Sequence, residues 1–189
     1  MTISLDESLR LKRMASLAAG AQKVLDAGSA QSPNPYLQHP SITGIDLSHP
    51  RKIPDNYTNW VVGNALNLPF SNNTFDAVIA GELIEHTEDP FEMLREFKRV
   101  LSKKGRLIVS TPNPNSPIER ILTLTLSRRF FYTDEHLLLY PQRWLIRMLE
   151  RTGFKNVKLY SGGFPLPFIG LIPFPRPWCH QTIAVGEAT

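Results

Sequence analysis

The chain has 189 residues, of which 42% are hydrophobic, and its 21 Lys and Arg against 17 Asp and Glu give a net charge of +4. This length fits one globular domain, and the composition excludes a disordered chain and a fibrous one. The single cysteine, Cys179, excludes an intrachain disulfide and a cysteine zinc cluster, as expected for a protein of the reducing cytoplasm.

The first half of the chain predicts a helix followed by four strands. Ser4 and Glu7 fit a capping box, which opens a helix within residues 1–20 that runs toward Gly20. The acidic residues before its short Ala-rich stretch do not match a secretory signal peptide, so we expect a cytoplasmic protein. Short apolar runs bounded by Pro, Asn, Gly or Asp predict strands at 23–27, 42–46, 59–62 and 75–81.

The second half predicts further helices and three more strands. Asp89 and Pro90 open a helix that ends before Gly105 and a strand at 106–111, and its apolar residues are Phe91, Leu94, Phe97 and Leu101. Ser116 and Pro117 open a second helix. Pro141 opens a third, whose apolar face is expected to hold Trp144, Leu145, Met148 and Leu149. Strands at 154–160 and 181–186 close the chain.

Alternating strands and helices predict a mostly parallel sheet that is covered on both faces. Ligands of such sheets bind at the carboxyl ends of the strands, where three loops carry suitable residues. Gly28 in VLDAGSA allows a sharp turn, and Asp46 ends the next strand at a spacing suited to ribose hydroxyls. Asn64 and Ala65 follow the third strand and could contact an adenine edge.

Two longer stretches, LPFSNNTFDAVIAGELIEH and DPFEMLREFKRVLSKKGRLIVSTPNP, resemble the class I S-adenosylmethionine-dependent methyltransferases of type 11, the small-molecule branch. The resemblance spans roughly residues 23–154. It implies one methyltransferase domain over 1–189 with a Rossmann-like sheet of seven strands, mostly parallel with the last strand antiparallel, and helices on both faces.

The resemblance also implies S-adenosylmethionine as cofactor, S-adenosylhomocysteine as product, and no metal. Four residues match the glycine-rich motif I, and the others match the ribose, adenine and methionine contacts of the family. The cofactor-binding residues are thus expected to be Asp26, Ala27, Gly28, Ser29, Asp46, Leu47, Asn64, Ala65, Ala80, Gly81 and Glu82.

The sequence departs from the family at motif I and just after it. Only Gly28 of three motif glycines is present, and Asn64 replaces the usual Asp. Prolines crowd the stretch QSPNPYLQHPS and recur at Pro50 and Pro54. This predicts shortened helices, with the helix after strand one short or missing and the helix after strand two reduced to a turn.

His86, Glu82 and His136 are the candidate catalytic residues. His86 and Glu82 lie just after the fourth strand, at the mouth of the expected site, and His136 lies in a stretch that resembles the family's acceptor region. A base is useful only for hydroxyl-like acceptors, because methyl transfer depends mainly on positioning. His86 could instead cap the neighbouring helix or bond to a backbone carbonyl, and His136 has the same structural alternative.

Segments 112–153 and 161–180 are expected to be insertions on the acceptor side. Within the second, the apolar loop 162–178 is broken by prolines and could be a lid over the acceptor, a membrane-surface or dimer contact, or core filler. Two functions remain open: methyl transfer to a small or lipid-like acceptor, and a catalytically silent module that binds a partner through loop 162–178. No run of Lys and Arg exceeds two residues, so there is no strong nucleic-acid signal.

Overall fold

A computed structural model describes residues 5–117, 120–121, 138–166, 170–172 and 175–189. The helices whose bounds it defines are α1 (Leu5–Leu17), α2 (Pro90–Val100) and α3 (Gln142–Arg151). The strands are β1 (Lys23–Ala27), β2 (Ser41–Asp46), β3 (Asn59–Val62), β4 (Phe75–Gly81), β5 (Leu101–Pro112), β6 (Phe154–Ser161), β7 (Phe164–Leu166), β8 (Gly170–Ile172) and β9 (Gln181–Ala188).

Seven strands form one sheet in the order β3-β2-β1-β4-β5-β9-β6. Strands β1 to β5 pair in parallel, and β9 runs antiparallel to both β5 and β6. The predicted mostly parallel sheet with an antiparallel last strand is therefore confirmed. Strands β1 and β4 are neighbours, but the chain leaves β1 toward β2 and leaves β4 toward β5 in the opposite direction, so a crevice forms at the carboxyl ends of these strands.

Apolar side chains cover both faces of this sheet, as predicted. On one face α1 packs on the strands, and the buried side chains include Met14, Ala18, Val24, Ile42 and Ile108. On the other face α2 and α3 pack, and the buried side chains include Leu25, Val78, Phe97, Val109 and Leu149. The hydrophobic free energy of burying these side chains fixes the sheet between the helices, about 1.5 to 3 kcal/mol for each large one.

The connections after β1 and β2 contain no helix, in agreement with the prediction that the first helix is short or missing and the second is reduced to a turn. Every residue of 28–40 and 47–58 is described, and both stretches consist of turns and extended backbone. Prolines remove helical N–H donors and clash with the preceding turn, which explains the loss. Buried Leu37 and Tyr57 from these connections pack on the sheet in place of helices.

Two large apolar side chains do not face the core, contrary to the helical faces predicted. Phe91 in α2 is 38% exposed and Trp144 in α3 is 59% exposed. Met93 and Val100 fill the core side of α2, so the apolar face is rotated from the predicted one. The ring of Trp144 instead lies 5.8 Å from the guanidinium of Arg147.

Strand β5 begins directly after α2, earlier than predicted. Leu101 already pairs with Phe75, and the register then shifts before the pairing of Ala77 with Arg106. The left-handed residue in this stretch is Lys104, with φ +66°, and not Gly105. Gly105 is needed for space, because a Cβ there would lie 2.8 Å from the carbonyl oxygen of Ser102.

The segment between β6 and β9 contains a small hairpin. Strands β7 and β8 pair antiparallel outside the main sheet, and β8 lies beside α1. A short 3-10 turn, Arg176–Trp178, follows, and Trp178 is 54% exposed. Parts of loop 162–178, including Phe168 and Ile169, lie outside the described residues, so its predicted role stays a prediction.

The helix expected at Ser116 begins as predicted, and the amide of Arg120 donates to the Ser116 carbonyl at 3.0 Å.

The outer strand β6 carries a bulge, since its register against β9 shifts between Lys155 and Lys158 and Asn156 has φ +53°.

Candidate functional site

A cleft of about 680 Å³ lies at the carboxyl ends of β1, β2 and β4, where α1 forms its outer wall. It brings together residues that are far apart in the chain, at the sheet edge where the sequence placed the ligand. Eight of the predicted cofactor residues line it, namely Asp26, Ala27, Gly28, Ser29, Asp46, Leu47, Gly81 and Glu82.

A second cavity of about 380 Å³ adjoins the first, and Asn64 and Ala65 line it. Gly28, Asp46 and His86 line both, so the two form one continuous groove. Ala80 lines neither, because it is fully buried in the core. His136 lies outside the described residues, and its predicted role stays a prediction.

Gly28 makes the sharp turn that motif I requires. Its φ is +71°, a left-handed conformation that other residues rarely adopt. A Cβ on Gly28 would also lie 2.6 Å from Cδ1 of Leu83. Its amide donates to the carbonyl of Ile45 at 2.8 Å, which joins the turn to β2. The backbone conformation therefore favours glycine here, and any side chain would also displace the end of Leu83.

Asp46 holds the rest of the motif I turn, where the other glycines are missing. Its Oδ2 accepts from the amide of Ala30 at 2.9 Å, and its Oδ1 accepts from the amide of Ser48 at 3.2 Å. A carboxylate has about four lone-pair sites, so both oxygens can still accept a bond from a ligand hydroxyl. Asp46 is half-buried and lines both cavities, which suits the predicted ribose contact.

Asp26 is a buried acid at the floor of the cleft, with 3% of its surface exposed. The hydroxyl of Tyr57 donates a hydrogen bond to the Asp26 carboxylate, and the amide of Asn34 donates to the same oxygen at 3.4 Å. Burial raises the pKa of Asp26 to about 6, and the hydrogen bond from Tyr57 opposes that rise. Tyr57 was not predicted, since nothing in the local pattern links it to a residue in β1.

Buried polar groups collect at the carboxyl ends of β4 and β5. Glu82 has φ +53°, and its Oε1 is buried without a hydrogen-bond partner among the described residues. The carboxyl oxygens of Glu85 and the hydroxyl of Thr111 are also buried, and a hydrogen bond from Thr111 opposes the effect of burial on the pKa of Glu85. Burial, and then the nearby Glu82, raise the pKa of Glu85 to about 8. Glu85 was not among the predicted site residues, although its three-residue spacing from Glu82 hinted at a shared location.

His86 lies in the short 3-10 turn Ile84–His86. It is half-buried and lines both cavities. Helix α2 is capped by Asp89, whose carboxylate accepts from the amide of Glu92 at 2.9 Å. Asp89 therefore caps the first turn of α2, and the role of His86 stays a prediction. His86 stands at the junction of the two cavities, where a side chain can reach a ligand from either one.

Helix α1 contributes an arginine that the sequence prediction missed. Arg10 lines the cleft although only 5% of it is exposed. Its Nη1 donates to the Ser110 hydroxyl at 3.1 Å, and its Nη2 lies 3.9 Å from the Glu7 carboxylate. One feature of the sequence could have indicated that Arg10 is buried: it lies one helical turn before Met14, on the same face of α1.

In the part of the chain that is described, no three His, Cys, Asp or Glu side chains are grouped to hold a metal ion. None of the described helices is long and apolar enough to cross a bilayer.

Residues 25–109 match the family model described as "Methyltransferase domain", type 11. An uncharacterized protein of Methanocaldococcus jannaschii is 30% identical over 98 residues, which are 52% of this chain and 47% of that protein. A demethylmenaquinone methyltransferase of Alkalihalophilus pseudofirmus is 29% identical over 128 residues, 58% of this chain and 54% of that protein. The chain thus spans about half the length of these curated relatives.

Solved structures share the whole fold at low sequence identity. A methyltransferase of Thermotoga maritima, described as a possible histamine N-methyltransferase, superposes with a TM-score of 0.77 at 17% identity, covering 96% of this chain and 89% of that one. A 1,6-didemethyltoxoflavin-N1-methyltransferase of Burkholderia thailandensis superposes with a TM-score of 0.62 at 14% identity, covering 95% and 78%. The resemblance to the class I type 11 methyltransferases is confirmed.

The donor set of the groove fits S-adenosylmethionine, the cofactor that this family implies. Asp46 offers oxygens to ribose hydroxyls, and Asp26 offers a carboxylate to an ammonium group. The Nε of Arg10 is buried and has no partner among the described residues, as expected where an anionic ligand completes the bonding. Residues from β1, β2 and β4 can therefore hold a ligand with an amino acid at one end and a nucleoside at the other.

Proposed function

Because residues 25–109 are a type 11 methyltransferase domain on a class I sheet, we propose that this protein transfers the methyl group of S-adenosylmethionine to a small-molecule acceptor. The observation that carries the proposal is the placement of Asp26 and Asp46 at the ends of adjacent strands, on either side of the Gly28 turn. The bound cofactor would supply an electrophilic methyl group on a sulfonium: a positioned nucleophile would bond to the methyl carbon as the carbon–sulfur bond breaks, with S-adenosylhomocysteine leaving as the neutral thioether.

Each end of the groove has its own task in this proposal. Asp46 holds the ribose, and Ala27, Gly28, Ser29 and Leu47 form the wall around it. Asn64 and Ala65 hold the adenine in the second cavity. The Oδ1 of Asn64 already accepts from the amide of Leu66 at 2.9 Å, which fixes its side-chain amide while one lone pair stays available.

The acceptor binds beyond Gly81 and Glu82, near His86. Positioning supplies most of the rate, because an in-line displacement needs the nucleophile held close to the methyl carbon. For an acceptor with a hydroxyl group, His86 or Glu82 takes its proton, and His136 is a further candidate. Glu82 lines this end of the cleft with a buried carboxyl oxygen, which suits an acceptor that donates a hydrogen bond.

The acceptor class is proposed from the relatives and from loop 162–178. Several relatives are named demethylmenaquinone methyltransferases, which favours a quinone-like or lipid-like acceptor. Strand β8 lies beside α1, the outer wall of the cleft, and Trp178 is exposed nearby in sequence. We therefore assign loop 162–178 one of three roles in a cytoplasmic protein: a lid over an apolar acceptor, a contact with a membrane surface, or a contact with a second copy of the same chain.

Calorimetric titration with S-adenosylhomocysteine tests the cofactor, and transfer of a labelled methyl group to a short-chain demethylmenaquinone tests the acceptor. We expect saturable binding and labelled product, with binding weakened roughly tenfold or more and product formation reduced in Asp46→Ala. Absence of binding at millimolar ligand would favour the silent module. Binding without transfer to any quinone would retain the methyltransferase and overturn the quinone-like acceptor.

A further inference from the structure

We infer that Arg10 binds the carboxylate at the amino-acid end of the cofactor, so that helix α1 supplies the donors that the missing motif I glycines would have placed there. The inference rests on the proposed function, because it names a contact of the same site. Its geometry is that of a buried guanidinium in the wall of the cleft, on the side of Gly81 and Asp26.

Arg10 is the only lysine or arginine that lines either cavity in the described part of the chain. A ligand carboxylate in this groove therefore has one side chain with a permanent positive charge to bind. Arginine presents its donors in a planar fork that matches a carboxylate with two parallel hydrogen bonds.

The guanidinium is not fully satisfied by the protein. Its Nη1 has the Ser110 hydroxyl as partner, whereas its Nε has none among the described residues. Glu7 is 3.9 Å from Nη2, and the Glu7 carboxylate also accepts from the Ser32 hydroxyl. A buried charge with unmade hydrogen bonds is costly unless a ligand completes them.

The opposite charge lies close by, as an amino-acid ligand requires. Arg10 is near enough to Asp26 to lower the pKa of that carboxyl, against the larger effect of burial. Asp26 suits the ammonium of an α-amino acid, and Arg10 suits its carboxylate. A cation and an anion at one end of the cleft therefore complement a zwitterion.

Gly81 makes room for this arrangement. A Cβ on Gly81 would lie 2.7 Å from Nη1 of Arg10, so any side chain there would move the guanidinium. This gives the predicted cofactor residue Gly81 a specific task and provides a second variant that leaves Arg10 itself intact.

A purely structural role is the competing explanation, in which Arg10 only anchors α1 to β5 through Ser110. Two ligands separate the explanations: S-adenosylhomocysteine has the amino-acid end, and methylthioadenosine has the same adenosine and thioether without it. We expect Arg10→Met to weaken S-adenosylhomocysteine roughly tenfold or more while changing methylthioadenosine less than twofold, by calorimetry. Arg13→Met, an exposed arginine of the same helix, is the matched control and should change neither affinity.

Gly81→Ala should give the same discrimination between the two ligands, which keeps the test decisive if Arg10→Met fails to fold. Equal losses for both ligands in both variants, or no loss for either, would overturn the assignment of Arg10. If the parent protein binds S-adenosylhomocysteine no more tightly than methylthioadenosine, the Arg10 assignment fails and the proposed nucleoside site is retained. If the parent binds neither ligand, the proposed function fails as well.

Discussion

The hydroxyl of Tyr57 donates a hydrogen bond to the carboxylate of Asp26, although 31 positions separate them in the chain. The same hydroxyl accepts from the amide of Asn34 at 2.8 Å. Tyr57 thereby joins the two connections that lack helices and places them both beneath motif I. The surroundings of Asp26 are therefore formed by residues of these two connections, in which the family resemblance implied helices.

Tyr57→Phe should weaken S-adenosylhomocysteine binding, and it should do so more strongly at pH 6 than at pH 8. The hydrogen bond from Tyr57 holds the pKa of Asp26 down against burial, so without it that pKa rises above about 6 and less carboxylate is present at neutrality. Losing a hydrogen bond to a charged group costs about 1.5 to 3 kcal/mol, or roughly tenfold or more in affinity. Calorimetry at pH 6 and pH 8 measures this, with Tyr36→Phe as control. An equal loss at both pH values would contradict the explanation.

Glu85→Gln should flatten the dependence of stability on pH. The folded pKa of Glu85 is about 8 against an ordinary value of 4.5, so the unfolded chain releases this proton first as pH rises. The acid therefore favours the folded state fully below pH 4.5, and this contribution is lost as pH rises through 8, at up to about 1.4 kcal/mol per pH unit. Glutamine stays neutral and avoids that loss.

Urea unfolding at pH 5 and pH 8 checks this prediction. The charged groups nearest Glu85 are Glu82 and Arg10, and the neighbouring Tyr140 has its own pKa raised to about 12 by burial and by Glu85. Relative to the parent, Glu85→Gln should gain stability between pH 5 and pH 8. Glu88→Gln, an exposed acid, is the control. A constant difference between parent and variant would show that Glu85 ionises normally.

Gly28→Ala should reduce cofactor affinity for two separable reasons. The left-handed backbone costs about 1 to 2 kcal/mol for a residue with a Cβ. The new methyl group would also press on Leu83, whose Cδ1 is 2.6 Å away. Adding Leu83→Ala should therefore restore part of the affinity measured by calorimetry. Gly20→Ala is the control for backbone strain alone, because Gly20 has φ +86° and open space around it. No rescue by Leu83→Ala would place the cost entirely in the backbone.

Asp46→Ala should weaken S-adenosylhomocysteine binding roughly tenfold or more without unfolding the protein. The change removes the ribose acceptor and also the partner of the Ala30 amide. Ala30→Gly keeps that amide, so its affinity should stay equal or improve. Asp55→Ala is the exposed control, with 96% of its side chain accessible. Unchanged affinity in a folded Asp46→Ala protein would remove the ribose assignment.

Trp178→Ser should leave the melting temperature nearly unchanged and reduce acceptor turnover or binding to anionic vesicles. Trp178 is 54% exposed, so its removal opens no core cavity. Trp144→Ser, which removes a tryptophan that is 59% exposed on α3, is the control. A fall in melting temperature of the size expected for a core truncation would instead make this end of loop 162–178 part of the interior.

The seven strands of the main sheet were predictable because each is a short apolar run bounded by turn residues, whereas the hairpin β7–β8 lies in a segment that was predicted as a loop. The buried faces of α2 and α3 were predicted less well. Phe91 and Trp144 fit the helical spacing of the apolar residues, yet both lie at the exposed margin of the buried face of their helix. Arg10 and Tyr57 were missed because their partners lie 100 and 31 positions away. Such contacts depend on how the sheet is assembled, and periodicity along the chain does not record them.

The two ends of the seven-stranded sheet bear on the solubility of the protein. A sheet edge offers unpaired backbone groups to which another chain can add. At one end β3 is only four residues long. At the other, β6 carries the exposed charges of Lys155 and Lys158 around its bulge at Asn156. Short strands, lysines and bulges all oppose strand addition, so neither edge is a ready template for aggregation.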